Sequence, residues 1–298
     1  MLETIFQILL YLVLGYLLRL VIGERSKPLI QLVLFVVFPA VILSKVPHME
    51  AGDEILFVFL SALVLLPLSM GGAYLLAQKM RLDRAATATL MMVSGFGNTS
   101  FVGFPYIKGL LGSDALGYAV IYDTIASFIP LILVGTVIVT WGAEKKVSVG
   151  NVIKDLVAFP PFLVFCAALF LPPESIPASA EPVFGFFETI LTPLTILAVG
   201  MRMDLSRLHR DLKLPLAALG FNMLLQPLLL SGIVYGWFDP AATAYTTFIL
   251  EAAMPPMVMA AIFAINAGLK ADLAINAVVL GIAASFVTVP LFYLLLGL

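Results

Sequence analysis

Residues 94–105 read Ser94-Gly95-Phe96-Gly97-Asn98-Thr99-Ser100-Phe101-Val102-Gly103-Phe104-Pro105. Three glycines, an amide, hydroxyls and a proline stand in the middle of an otherwise apolar run over 85–111. Glycine disfavours the helix, and proline removes a donor and clashes with the preceding turn. The stretch therefore predicts a helix broken at its centre. What such a break means depends on the solvent around it. The chain has 298 residues, 62% hydrophobic and 11% charged, against about 25% charged in an ordinary soluble domain. That is too few charges for a polar skin, and a lipid bilayer removes the need for one. In hydrocarbon every freed backbone group must find a partner, so irregular backbone at that depth is tolerated only where it is buried in protein or lines a cavity.

Outward from this stretch, the hydropathy predicts ten spans, over 3–23, 28–46, 54–77, 85–111, 115–141, 156–172, 182–201, 214–237, 241–266 and 272–297, each near the about 20 apolar residues that cross a bilayer. An amphipathic stretch from Val147 to Asp155 precedes the short sixth span and suits the membrane interface. The first residues lack a positive n-region and a cleavage site, and are read as the first span rather than a removable signal. Of the 16 Lys and Arg residues, Lys45 and Lys108 alone fall on the side of the even-numbered loops. The positive-inside rule then places the odd loops in the cytoplasm and both termini outside.

The two halves resemble each other. Pro28 and Pro39 in span 2 match Pro182 and Pro193 in span 7. Ala85-Ala86-Thr87-Ala88 opens span 4, and Ala241-Ala242-Thr243-Ala244 opens span 9. Ala126-Ser127-Phe128 matches Ala284-Ser285-Phe286, Pro67 matches Pro227, and Pro130 matches Pro290, with the displacement drifting from 154 to 160 residues. A duplication into residues 1–145 and 146–298 is expected. Five spans per half is an odd number, so the second half enters the membrane inverted, the arrangement of many secondary transporters. The expected fold is an all-α polytopic membrane protein with ten transmembrane helices in two inverted five-helix repeats, helices 4 and 9 being broken.

Span 9 carries the matching interruption, Glu251-Ala252-Ala253-Met254-Pro255-Pro256-Met257. Paired breaks at corresponding depths of inverted halves mark a transporter site. Each second half-helix offers free N–H groups and a positive dipole end, which suit an anion. The candidate substrate-binding residues are Gly97, Asn98, Thr99, Ser100, Gly103, Pro105, Met254, Pro255 and Pro256. Membrane carboxylates are costly and functional by default. Glu251, beside the second break, could ligate sodium or carry a coupling proton. Asp123 in span 5 is a second candidate, with pairing to Lys108 or a place nearer the outer surface as its alternatives, and Glu188 in span 7 a weaker third. Asn222 and Gln226, at i and i+4 in span 8, suit an interhelical contact or a cavity wall. Ala277, Gly281 and Ser285 form a small-residue packing face.

Other chemistries lack residues. The sequence contains no GxxxxGK[ST] loop and no HExxH. His48 and His209 fall in separate loops, so no metal site and no Ser/His/Asp set is expected, and the chain is read as a non-enzyme without cofactors. Cys166 is the one cysteine and sits in an apolar run, which rules out an intrachain disulfide. A net charge of −2 gives no reason to expect nucleic acid.

The stretch Gly97-Asn98-Thr99-Ser100-Phe101-Val102-Gly103-Phe104-Pro105 resembles the GNxxFxGxP signature of the auxin efflux carrier family, and Ala252-Ala253-Met254-Pro255 is similar to its second-half counterpart. The likeness covers the whole chain. It implies a scaffold of spans 1, 2, 6 and 7, often dimeric, so that a homodimer is the partner to expect besides the bilayer and a small organic anion. It implies a mobile domain of spans 3–5 and 8–10, elevator-type motion, and crossover residues at Asn98, Pro105 and Pro255. The long central loop of the plant members is missing, which points to a bacterial-type carrier of malate, malonate or similar acids in the inner membrane, coupled to H+ or Na+. Glu251 is not carried over from the plant members. The similarly folded bile acid:sodium symporters are the runner-up, and a non-transporting sensor of the same fold is the third reading.

Overall fold

The computed structural model describes residues 1–49, 52–144, 150, 154, 157–205, 208 and 212–297. Among these residues the fold is helical throughout, with no strand. The helices are α1 (Leu2–Ile22), α2 (Lys27–His48), α3 (Gly52–Lys79), α4 (Arg84–Gly95), α5 (Phe104–Leu111), α6 (Ser113–Gly142), α7 (Pro160–Ala168), α8 (Ala178–Arg202), α9 (Lys213–Trp237), α10 (Thr243–Ala252), α11 (Val258–Asn266) and α12 (Ala271–Leu295). Seven of them, α1, α2, α3, α6, α8, α9 and α12, are long and apolar enough to cross a membrane. The other three expected spans are not continuous helices of that length. Span 4 is cut between α4 and α5, span 9 between α10 and α11, and span 6 contributes the nine-residue α7. The amphipathic stretch from Val147 to Asp155 falls largely outside the described residues, as does His209.

Helix α1 shows how lipid shapes the exterior. It buries only Thr4, Ile8, Leu12 and Gly15, one stripe at helical spacing. Phe6, Leu9, Leu10, Val13, Leu14, Leu17 and Leu18 face outward, an arrangement that water would penalise and hydrocarbon does not. The buried stripe meets α8, where Gly15 and Gly200 bring the two backbones together: a Cβ on either would strike the carbonyl of Leu197 or of Leu12. Small residues permit this approach, and dispersion then holds the pair.

Among the described residues, four of the five wide π turns, at Val33–Val37, Thr99–Gly103, Asp123–Phe128 and Gly220–Leu225, each end two residues before a proline, at Pro39, Pro105, Pro130 and Pro227, and the fifth, Leu131–Gly135, directly follows Pro130. Proline clashes with the carbonyl of the preceding turn, and one extra residue in that turn relieves the clash without ending the helix. In three of the four matched proline pairs, Pro39/Pro193, Pro67/Pro227 and Pro130/Pro290, one member follows a π turn while its counterpart lies inside an α-helix.

Two packing groups emerge. Helix α8 packs on α1 and α2, and α7 on α2; α3 to α6 and α9 to α12 form the second group, in which α4 is enclosed by α3, α6, α9, α11 and α12, and the groups meet where α5 packs on α1 and α8 and α6 on α2. Both interruptions are deeply buried, with Phe96, Thr99, Ala253 and Met254 fully covered.

Replacing Gly15 or Gly200 with Val drives a side chain into facing backbone that has no room to yield. Overpacking of this kind costs about 1–3 kcal/mol, and the melting temperature in detergent, followed by intrinsic fluorescence, falls. An unchanged melt would mean that the α1–α8 contact is looser than it is drawn here.

Candidate functional site

The first interruption is framed by its caps. Asp83 opens α4 in extended conformation, its Oδ1 accepting from the Ala86 N–H at 2.7 Å. Its other oxygen pairs with Lys270 at 2.8 Å. The Lys270 hydrogen bond and the Ala86 N–H together hold the Asp83 carboxyl below its ordinary pKa. At Gly95 the helix stops and leaves carbonyls unpaired. Gln226 Nε2 donates to the Ser94 carbonyl at 3.1 Å and to the Gly95 carbonyl at 3.0 Å. Ser69 Oγ donates to Ser94 O at 2.5 Å, and Asn222 Nδ2 does so at 3.4 Å. The Asn222–Gln226 pair is thus an interhelical contact, and its job is to cap α4 where no water can.

Phe96 is extended, Asn98 turns the chain with φ −84° and ψ 64°, and helix resumes through Thr99–Gly103. The second interruption runs from Ala253 to Met257, and the two cross. Asn98 N–H donates to Pro255 O at 2.7 Å, and Met257 N–H donates to Phe96 O at 2.8 Å. Gly97 and Pro256 face each other between these bonds as an isolated antiparallel bridge. They form the non-hydrogen-bonded pair of that bridge, the one place where the missing N–H of a proline costs nothing. Gly97 itself has ordinary space for a Cβ. Gly281 does not: a side chain there would meet Pro256 and Pro255. The small face of α12 is therefore a packing face, and it packs on the second break. Ser285 on the same face lies 3.4 Å from the Tyr106 hydroxyl.

The crossing sorts the expected site residues into two sets. Asn98 and Ser100 line a cavity of about 30 Å³, with Phe101, Met257, Val258 and Met259. The first residues of both second half-helices thus share one space. Asn98 is 1% exposed, and its Nδ2 has no hydrogen-bond partner among the described residues. Its carbonyl accepts from Val102 and Gly103. Ile30, Ala198, Val199 and Arg202, from α2 and α8, close the other wall. Thr99 turns to Asp123, its Oγ1 donating to Oδ1 at 2.5 Å, and the Ser100 hydroxyl lies within hydrogen-bonding reach of the same carboxylate. Gly103 abuts the carboxylate of Glu251, which occupies the space a Cβ would need. Met254 is fully buried, and Pro105 sits in the first turn of α5 beside a separate cavity against α1 and α8.

Glu251 is 0% exposed, and neither carboxylate oxygen has a partner among the described residues. It lies within electrostatic reach of Asp123. A charged carboxylate so placed costs several kcal/mol unless a cation neutralises it. Asp123 bonds Thr99 and not Lys108. Lys108 Nζ donates instead to the Glu188 carbonyl, because α5 carries it toward α8. Glu188 is ion-paired with Lys45 at 2.8 Å and accepts from Ser44 at 3.1 Å, so it tethers α2, α5 and α8. Cys166 is half-buried and unbonded to another cysteine. The sequence reading missed Arg202 and Met257 as cavity residues. By sequence Arg202 is one of the basic residues that set topology, and only its position at the end of a proline-bearing span could single it out.

Replacing Gln226 with Leu keeps the volume and strips the donor from the Gly95 carbonyl. A buried acceptor left unpaired costs about 1–3 kcal/mol, so the variant melts at lower temperature. Hydrogen exchange at the first break, measured by mass spectrometry, rises with it. Protection equal to wild type would show that the cap is dispensable.

A model of the membrane transport protein family matches residues 1–158 and 187–293. An uncharacterized transporter of Methanothermobacter thermautotrophicus is 26% identical over 300 residues, which covers 99% of this chain and 98% of the relative. An uncharacterized transporter of Methanocaldococcus jannaschii is 25% identical over 190 residues, 61% of each chain. With two interrupted helices crossing at their breaks and most of its length matched, this chain belongs to the membrane transport protein family, that of the auxin efflux carriers.

Proposed function

We infer that the chain is a secondary active carrier of small organic anions, carboxylates in particular. One observation carries this reading: the N-terminal residues of both second half-helices line a single cavity with an unpartnered buried amide, Asn98. Free N–H groups and two positive dipole ends directed at one space suit a carboxylate. The ten-span organisation in two inverted halves is supported by the matched sequence pairs and by a crossing that joins one break from each half. Both termini lie outside in this reading, in the cytoplasmic membrane of the cell. The packing of α1, α2, α7 and α8 as one group, and of the rest as another, supports a scaffold and a mobile transport domain moving as an elevator. A second copy of the chain is the partner of that scaffold.

Substrate movement is coupled to a cation. Glu251, with both oxygens unpartnered, takes a proton or a sodium ion, and Asp123 with Thr99 stands next to it in the same electrostatic neighbourhood. In the sodium case the carboxylate and nearby oxygens would be hard ligands of the kind such ions take.

Purified protein in liposomes, given labelled mono- and dicarboxylates under imposed proton or sodium gradients, accumulates one class in a saturable way. Asn98→Ala abolishes that accumulation while the melting temperature stays within a few degrees of wild type; normal uptake by the variant would remove the crossing from the site. Glu251→Gln makes the flux indifferent to the driving gradient, and an unaltered ion dependence would exclude Glu251 as the coupling group. A folded wild-type protein that accumulates nothing would favour a sensor.

A further inference from the structure

The 30 Å³ cavity beside Asn98 has one charged wall. Arg202, the last residue of α8, lines it and also lines a second cavity of about 230 Å³ that opens toward the basic side of the molecule. Val199, Arg202 and Val258 belong to both, so Arg202 stands at the junction. The larger cavity is walled mainly by aliphatic side chains of α11 and α12, such as Val258, Ile262 and Ile275, with Arg19, Glu24 and Asp204 among its charged groups.

These charges differ in what they are already bound to. Arg19 is engaged on both terminal nitrogens: Nη2 pairs with Asp204 at 2.8 Å, and Nη1 donates to the carbonyls of Met201 and Arg202 at 3.3 and 3.4 Å. Glu24 accepts from the backbone N–H and the hydroxyl of Ser26. Arg202 donates its Nε to Ser26 Oγ at 3.2 Å, and its charge lies within electrostatic reach of the Glu24 carboxylate without a direct ion pair. Among the described residues its two terminal amino groups make no hydrogen bond. The guanidinium is half-buried, held in direction by Ser26, and offers the planar pair of donors that matches a carboxylate. Opposite it in the small cavity is the unpartnered Nδ2 of Asn98.

We propose that Arg202 binds the carboxylate of the transported anion, as the fixed cationic wall facing Asn98. The inference rests on the anion-carrier reading and extends it. Asn98 and Arg202 belong to different packing groups. An anion held by both bridges them, and passing to Asn98 and the half-helix N-termini alone frees it to leave with the mobile group. A junction occupied by an unspent guanidinium also discriminates against neutral analogues, which leave that group desolvated and unpaired.

Liposome uptake of labelled malonate and indole-3-acetate decides the matter, with malonamide and indole-3-acetamide as neutral competitors, in wild type, Arg202→Gln, Arg202→Lys and Ser26→Ala. Arg202→Gln raises the half-saturating concentration of the transported acid about tenfold or more and loses the preference for acid over amide. Arg202→Lys falls between, because an ammonium keeps charge without the fork. Ser26→Ala, which releases Nε but keeps the charge, weakens affinity less than Arg202→Gln and keeps the preference for acid over amide; loss of that preference with the charge in place would assign Arg202 to packing and overturn the proposal. Should Arg202→Gln fail to fold, Arg202→Lys carries the same test through its acid-over-amide preference. Wild-type affinity and preference in a folded Arg202 variant overturn the role of Arg202 and leave the carrier reading standing. Wild type that carries no acid at all removes the carrier reading, and this role with it.

Discussion

Two backbone hydrogen bonds, Asn98 to Pro255 and Met257 to Phe96, are the interaction on which the rest of the site depends. An interrupted helix in a dry interior exposes carbonyl and N–H groups that water cannot reach, at a cost of several kcal/mol each. Two interruptions that cross can satisfy each other, and here they do. The pairing fixes their register, and Pro256 falls at the position where no donor is needed. Once that register is set, the N-termini of the two second half-helices come to one place, and the cavity between them follows.

The groups left over after this pairing are disposed of unequally, and the inequality is informative. The carbonyls at the end of α4 are capped with care by Gln226, Asn222 and Ser69. By contrast, Asn98 Nδ2 and both oxygens of Glu251 are buried without partners among the described residues. Ser94 Oγ and Asn222 Oδ1, in the cap itself, are likewise unpartnered among the described residues; what sets Asn98 and Glu251 apart is that the one lines the crossing cavity and the other is a carboxylate. Their unsatisfied state opposes stability by an amount comparable to a good part of a domain's net folding free energy. A ligand for the amide and a cation for the carboxylate would each restore the balance, which is why these atoms anchor the functional reading. Asp123 makes the contrast sharper, since its Thr99 bond gives it the partner that Glu251 lacks.

Glycines serve different purposes across the molecule. At Gly15 and Gly200 the absent side chain lets two helices touch through their backbones. Gly103 makes room for a carboxylate, and Gly281 for the tandem prolines of the second break. None of these four needs a left-handed backbone; each is explained by what a Cβ would hit. Gly97, at the crossing itself, is the permissive case, with ordinary contact distance to its neighbours.

Much of this protein was legible along the chain. The lipid environment follows from too few charges for a soluble surface. The two interruptions follow from Gly95-Phe96-Gly97 and Pro255-Pro256, whose effects act within one helical turn and need no knowledge of neighbours. Asn98, Ser100, Glu251 and Asp123 could be singled out because polar groups inside apolar spans are rare. The sequence could not say which way each of them faces. That Thr99 and Ser100 meet Asp123 while Ser100 also lines the cavity depends on the wide turn before Pro105 and on a crossing register set by partners more than 150 residues away. The role of Gln226 as a cap for α4, and the meeting of Arg202 with the Asn98 cavity, depend on which helices pack together. Local propensity and hydropathy record how a segment meets its solvent. Contacts between distant segments leave no local trace, so only the tertiary structure decides them.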